Sequence, residues 1–92
     1  MSLEQTYRKV ARSVVRISAS GEAHPSGTGF VISANGYILT CHHVISFADR
    51  ITVFSEEVNE PLEAQCIGFN EVSDIAILRV DAHFRESLPF GD

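Results

Sequence analysis

Between residues 14 and 80 the chain breaks into six short β-rich runs separated by turn formers, and this spacing restricts the fold more than any other feature. The runs are 14–18, 30–33, 37–40, 51–54, 62–69 and 75–80. Ala34-Asn35-Gly36 divides the second from the third, and an Asn-Gly pair suits a tight hairpin turn because both residues tolerate positive φ. Residues 20–29, "SGEAHPSGTG", are dense in turn formers. Runs 30–33 and 75–80 are almost continuously apolar, as in strands covered on both faces. Short strands at this spacing make an all-β sandwich or barrel. In a chain of 92 residues the closed barrel is favoured, because it leaves no strand edge exposed. Ahead of the strands, Leu3, Tyr7, Val10 and Ala11 stand at i, i+4, i+7 and i+8 behind a capping Ser2. Residues 1–12 therefore read as a short amphipathic helix or a docked arm.

Charge and cysteine content narrow the function classes. Twelve acids against seven Lys and Arg give a net charge of −5. The basic residues are scattered, so no basic stripe favours nucleic acid as a partner. Cys41 and Cys66 allow one disulfide or none, and the composition favours reduced thiols packed in the core. No run approaches the roughly 18 apolar residues of a membrane span. "MSLEQTYRKVARS" has no apolar centre of signal-peptide length, so the chain as it stands reads as soluble, with any export signal outside it.

Two segments carry possible chemistry. "ILTCHHVI", residues 38–45, sets His42 and His43 at the end of an apolar run, and "VSDIAILRV", residues 72–80, opens a strand with Asp74. A general base needs a fixed tautomer, which a carboxylate on Nδ1 supplies. A His and an Asp at two strand ends are thus half of a nucleophilic site. They are equally two polar residues at a turn and a strand start, and the residues alone leave both open. Cys41 is a conceivable thiol nucleophile, although its place after strand 37–40 favours packing. Metal binding has less support: Cys41, His42 and His43 are adjacent and point different ways, Cys66, His24 and His83 lie elsewhere, and no C-x-x-C or H-E-x-x-H spacing occurs. Neither a metal nor a cofactor is expected.

"GTGFVISANGYILTCHHVI" (residues 27–45), then "ITVF", "SDIAILRVDA" (residues 73–82) and "LPFGD", resembles the N-terminal barrel of trypsin-like serine proteases, most closely the HtrA (Deg) branch. The resemblance runs from about residue 13 to the end and brings several motifs in the same order. It implies an all-β fold: a six-stranded antiparallel β-barrel over 13–82, with a short N-terminal helix before it. Residues 83–92 then lead toward a second barrel. The family's Thr-x-x-His-Val falls on Thr40-Cys41-His42-His43-Val44, which makes His43 the base and His42 its bystander. Asp74-Ile75-Ala76-Ile77-Leu78 matches the family's Asp-Ile/Leu-Ala-x-Leu and makes Asp74 the partner carboxylate. A short helical turn is expected to lift His43 to the rim, anchored by Val44 and Ile45. Gly27 and Gly29 are expected where strand 30–33 passes close to its neighbours.

In this family the nucleophile sits in a Gly-x-Ser-Gly-Gly-type loop on the second barrel. Ser26 lies before the His and opens no helix, so it is no nucleophile elbow. The resemblance therefore implies a serine endopeptidase's His and Asp without its Ser. The expected partners are a protein or peptide substrate and the missing C-terminal barrel. The 92 residues are expected to be inactive alone and to self-associate through the uncovered cleft face. The rival reading is a non-catalytic interaction module built on the same barrel.

Overall fold

Backbone hydrogen bonding in this chain closes on itself. A computed structural model describes residues 2–19, 27–46, 48–85 and 87, apart from the side chains of residues 6, 7 and 9. The elements are α1 (Leu3–Ser13), β1 (Val14–Ala19), β2 (Gly27–Ser33), β3 (Tyr37–Thr40), α2 (His42–Ile45), β4 (Ile51–Ser55), β5 (Val58–Asn70) and β6 (Ile75–Val80). All strand pairings are antiparallel, in the order β1-β2-β3-β6-β5-β4, and β4 returns to β1 through pairs such as Ile17↔Val53. This is the six-stranded antiparallel barrel expected, with a short helix ahead of it. Among the described residues no helix is long and apolar enough to cross a membrane.

Period-two alternation fills the interior. Val15 and Ile17 of β1, Val31 of β2, Ile38 of β3, Val53 of β4 and Leu78 of β6 are all fully buried. Each such side chain contributes about 1.5–3 kcal/mol relative to exposure. The apolar run at 75–80 is not covered on both faces as expected, whereas in 30–33 Val31 is buried and Phe30, Ile32 and Ser33 are half-buried. In β6 burial alternates, with Ala76, Leu78 and Val80 inside and Ile75 43% exposed. A barrel has one interior, so outward apolar residues face solvent or whatever docks there.

The β2–β3 turn falls on Ala34-Asn35-Gly36, the residues that divide the two runs in the sequence. Ser33 pairs with Tyr37, so Ala34, Asn35 and Gly36 form a three-residue loop beside a register shift between Val31 and Ser33. Only Gly36 has positive φ, at 95°. A Cβ there would also lie 2.2 Å from the Val80 carbonyl oxygen. The Val80 N–H donates to the Gly36 carbonyl (2.9 Å) and the Phe84 N–H to the Ala34 carbonyl (3.0 Å). Phe84 is 1% exposed, so the packed body extends past the 13–82 segment anticipated for the barrel. The apolar segment 88–90 lies outside the described residues.

Helix α1 is held by its own local bonds. Ser2 and Gln5 form a capping box, with the Gln5 N–H donating to Ser2 Oγ (3.1 Å) and the Ser2 N–H to Gln5 Oε1 (3.0 Å). Leu3 is 87% exposed and Val10 39%, so neither is in the core that the amphipathic spacing suggested.

These burials set an ordering of stability effects. Leu78→Ala is expected to destabilise the barrel by about 2–5 kcal/mol, a large share of what a domain this small holds. Leu3→Ala is expected to stay within about 0.5 kcal/mol of the parent. Urea denaturation midpoints read both; equal midpoints for the two variants would contradict this core.

Candidate active site

Strand β3 ends at Thr40, whose buried hydroxyl donates to the Thr28 carbonyl of β2 (2.8 Å). The chain then leaves the wall. Cys41 is extended (φ −85°, ψ 138°) and begins α2 without a side-chain cap. Ile45 is buried and Val44 packs against the core, fixing the turn from below as anticipated. Gly27 makes room for this: a Cβ there would stand 2.3 Å from Val44 Cγ1. Gly29 does the same inside, where a Cβ would meet Ile17 and Ile38 at 2.8 Å.

The opposing group comes from the β5–β6 hairpin. The Ser73 N–H donates to Asn70 Oδ1 (3.1 Å), closing the turn. Asp74 follows with φ 56°, a left-handed conformation that Asp tolerates better than most residues. It is then tied to α2 three times. The His42 N–H donates to its carbonyl (3.1 Å), the His43 N–H to its Oδ1 (2.7 Å), and His43 Nδ1 lies 2.5 Å from its Oδ2. The structure thus brings His43 and Asp74 together at one end of the barrel.

Electrostatics follow from these bonds. The Asp74 carboxyl is held below the usual carboxylate range, first by the side-chain bond to His43 and then by the His43 backbone N–H. An ionised carboxylate only accepts, so Nδ1 carries a proton, and in the neutral ring the lone pair then lies on Nε2. The His43 side chain is 73% exposed and that of Asp74 43%. Nε2 can therefore take a proton from a group outside the barrel.

His42, read from the sequence as a bystander to His43, makes a structural contact. Its ring stacks on Phe69 of β5, with centroids 4.5 Å apart and planes within 11°. Together with its backbone bond to Asp74, this fastens α2 to the hairpin. No local signal marks the pair, since the partners meet only through the tertiary fold. Cys41 and Cys66 are free thiols, and both are exposed, not packed in the core as expected. Cys41 lies beyond the last buried residue of β3, and Cys66 sits at a register shift in β5. His42 does point away from its neighbours, yet Cys41 and His43 return to the same side. With Asp74 they place three potential ligand atoms within 4.8 Å of one another. Ser26 and His24 lie outside the described residues.

A sequence model of the trypsin-like peptidase domain matches residues 27–92. A probable periplasmic serine endoprotease, DegP-like, from Pseudomonas fluorescens is 50% identical over 70 residues, covering 76% of this chain and 14% of that protein. Its counterpart from Pseudomonas fulva is 44% identical over 71 residues, covering 77% of this chain and 15% of that protein. The chain therefore spans about 15% of the length of these curated relatives. The crystal structure of a serine endoprotease from Yersinia pestis superposes with a TM-score of 0.83 at 33% identity, covering 99% of this chain and 34% of that one.

Because the Asp74 carboxyl is depressed in the folded protein, its bonds to α2 are at full strength above the ordinary carboxylate pKa of about 3.9. They are lost as pH falls through the lower folded value. The Asp74 carboxyl carbon, followed by NMR, is expected to titrate below that range. In His43→Ala the midpoint should rise only part of the way, because the backbone N–H at residue 43 still donates to Oδ1. A wild-type midpoint at or above 3.9 would contradict the grip.

Proposed function

Since the chain belongs to the trypsin-like peptidase domain family, in its HtrA/Deg branch, we propose that it supplies the base and the orienting carboxylate of a serine endopeptidase. One observation carries this reading: a single carboxylate accepts from both the backbone N–H and Nδ1 of His43, leaving Nε2 as the free nitrogen of an exposed ring.

The chemistry follows from that arrangement. His43 Nε2 takes the proton from a serine hydroxyl as its oxygen attacks a peptide carbonyl, then returns it to the leaving amine. Asp74 holds the tautomer and stabilises the imidazolium formed in between. Both steps use only side chains and water. The serine comes from a second barrel, to which residues 83–92 lead once Phe84 has packed into the first. That barrel packs on the rim that carries the dyad. Exposed Ile67, Phe69, Val72 and Ile75 lie on the same hairpin as Asp74 and suit such a partner. Until covered, they favour self-association.

Within the described residues Ser46 is the serine bonded to His43, and its hydroxyl donates to the backbone carbonyl (3.4 Å), not the ring. The 92-residue chain by itself should therefore neither hydrolyse casein nor react with a fluorophosphonate probe. A chimera in which residues 27–92 replace the matching segment of the Pseudomonas fluorescens relative should hydrolyse casein. There Asp74→Asn should lower kcat by about 10⁴-fold, because it favours the wrong tautomer. Full hydrolysis by a His43→Ala chimera would refute the assignment.

A further inference from the structure

The serine chemistry proposed above has no use for Cys41, yet its thiol stands in the same cluster as the dyad. Cys41 Sγ, a ring nitrogen of His43 and a carboxylate oxygen of Asp74 all lie within 4.8 Å of one another. We propose that these three residues form a binding site for a thiophilic divalent cation of the Zn²⁺ class.

Donor chemistry chooses the class. A thiolate, an imidazole and a carboxylate together suit Zn²⁺ or Co²⁺, whereas Mg²⁺ and Ca²⁺ need oxygen donors throughout. Three protein ligands also leave a fourth tetrahedral position for water. Cys41 and His43 are exposed and Asp74 is half-buried, so the ion has a direct path from solvent.

The required movement is small. Tetrahedral ligands around Zn²⁺ stand roughly 3.3–3.6 Å apart, given bonds of about 2.0–2.3 Å. The present spacing of up to 4.8 Å reaches this by side-chain rotation. Cys41 makes no side-chain capping bond that rotation would break. If the ion takes His43 Nδ1, the 2.5 Å contact with Asp74 Oδ2 opens by about one ångström. The His43 backbone N–H still holds Oδ1 and keeps the carboxylate aimed, as outer-shell donors do at metal centres.

Occupancy has a consequence for the site, which rests on the base role proposed for His43. A neutral imidazole has one lone pair. An ion at Nε2 takes it directly. An ion at Nδ1 forces the ring proton onto Nε2. In either case Nε2 can no longer accept a proton, and the site is switched off until the ion leaves.

Titrating the 92-residue chain with Co²⁺ decides the matter. One equivalent should saturate a thiolate-to-cobalt charge-transfer band, Zn²⁺ should displace it, and Mg²⁺ should not. Ring resonances of His43 should move with cobalt while those of His83, at the other end of the β3–β6 pair, stay in place. Cys41→Ser should abolish the band and weaken binding at least tenfold. His43→Gln should also weaken binding at least tenfold, and Cys66→Ser should change neither. Cys41 and Cys66 are exposed, so their variants keep the fold, which circular dichroism checks. A band that survives Cys41→Ser, a band lost in Cys66→Ser, or the absence of stoichiometric binding overturns the proposal. These spectra do not depend on hydrolysis by the chimera, so failure of the triad reading and failure of the cation site are told apart.

Discussion

The arrangement of the rim depends on one carboxylate meeting one short helix. Asp74 accepts three times from residues 42 and 43, and its own backbone sits at φ 56° to do so. Few side chains meet these conditions. Asn would tolerate the left-handed backbone, but its NH₂ would face one of the two His43 donors. Glu would carry its oxygens one methylene farther out and lose the backbone bond. Gly would keep the conformation without the acceptor. The sequence thus has little freedom at position 74 once His43 has to be held by Nδ1.

That meeting is prepared by strand register. Thr40 of β3 pairs with Ala76 of β6, which leaves a short connection on each side before the dyad begins. A slip of one residue would turn every inward side chain of β6 outward, including the fully buried Leu78. The core therefore fixes the register, and the register fixes the approach of the two groups. Strand β5 adds the overhang. Ala64 pairs with both Ile51 and Val80, but from Gln65 onward β5 follows β6. Its outer half accordingly has no covered face, and Ile67 and Phe69 are more than half exposed. The closed barrel alone gives no reason for apolar residues there; the partner barrel proposed above would.

Much of this was legible in the sequence because it follows from local rules. All six strands fall where β-rich runs alternate with turn formers, and Ser2 caps α1 as its position suggests. What escaped depends on distance in space. The register shift between Val31 and Ser33 is one that pattern alone does not reveal. Cys41 reads as a packing residue because it follows an apolar run, whereas the wall ends one residue earlier, at buried Thr40. Phe84 follows polar residues and reads as linker, yet it is in the core. The stacking of His42 on Phe69 joins two segments with no shared local signature. As for the site, the residues alone left His43 and Asp74 open between a catalytic pair and two turn residues, and only the ordered set of motifs in the family resemblance favoured the first.

Exposure and order make opposite demands at this rim. The base role proposed for His43 requires an accessible ring, and the His43 side chain is 73% exposed. Packing therefore cannot hold the ring, and a lone surface pair of this kind contributes little to stability. Orientation has to come from bonds whose far ends are rigid. Asp74 is rigid because β6 is buried from Ala76 inward, and α2 is rigid because Ile45 and Val44 reach the core while His42 leans on Phe69. The ring is thus ordered at second hand, through neighbours that packing does hold. The same openness leaves any further donor beside the ring accessible to solvent. Cys41 is such a donor, and its geometry follows from the same strand end that delivers His43.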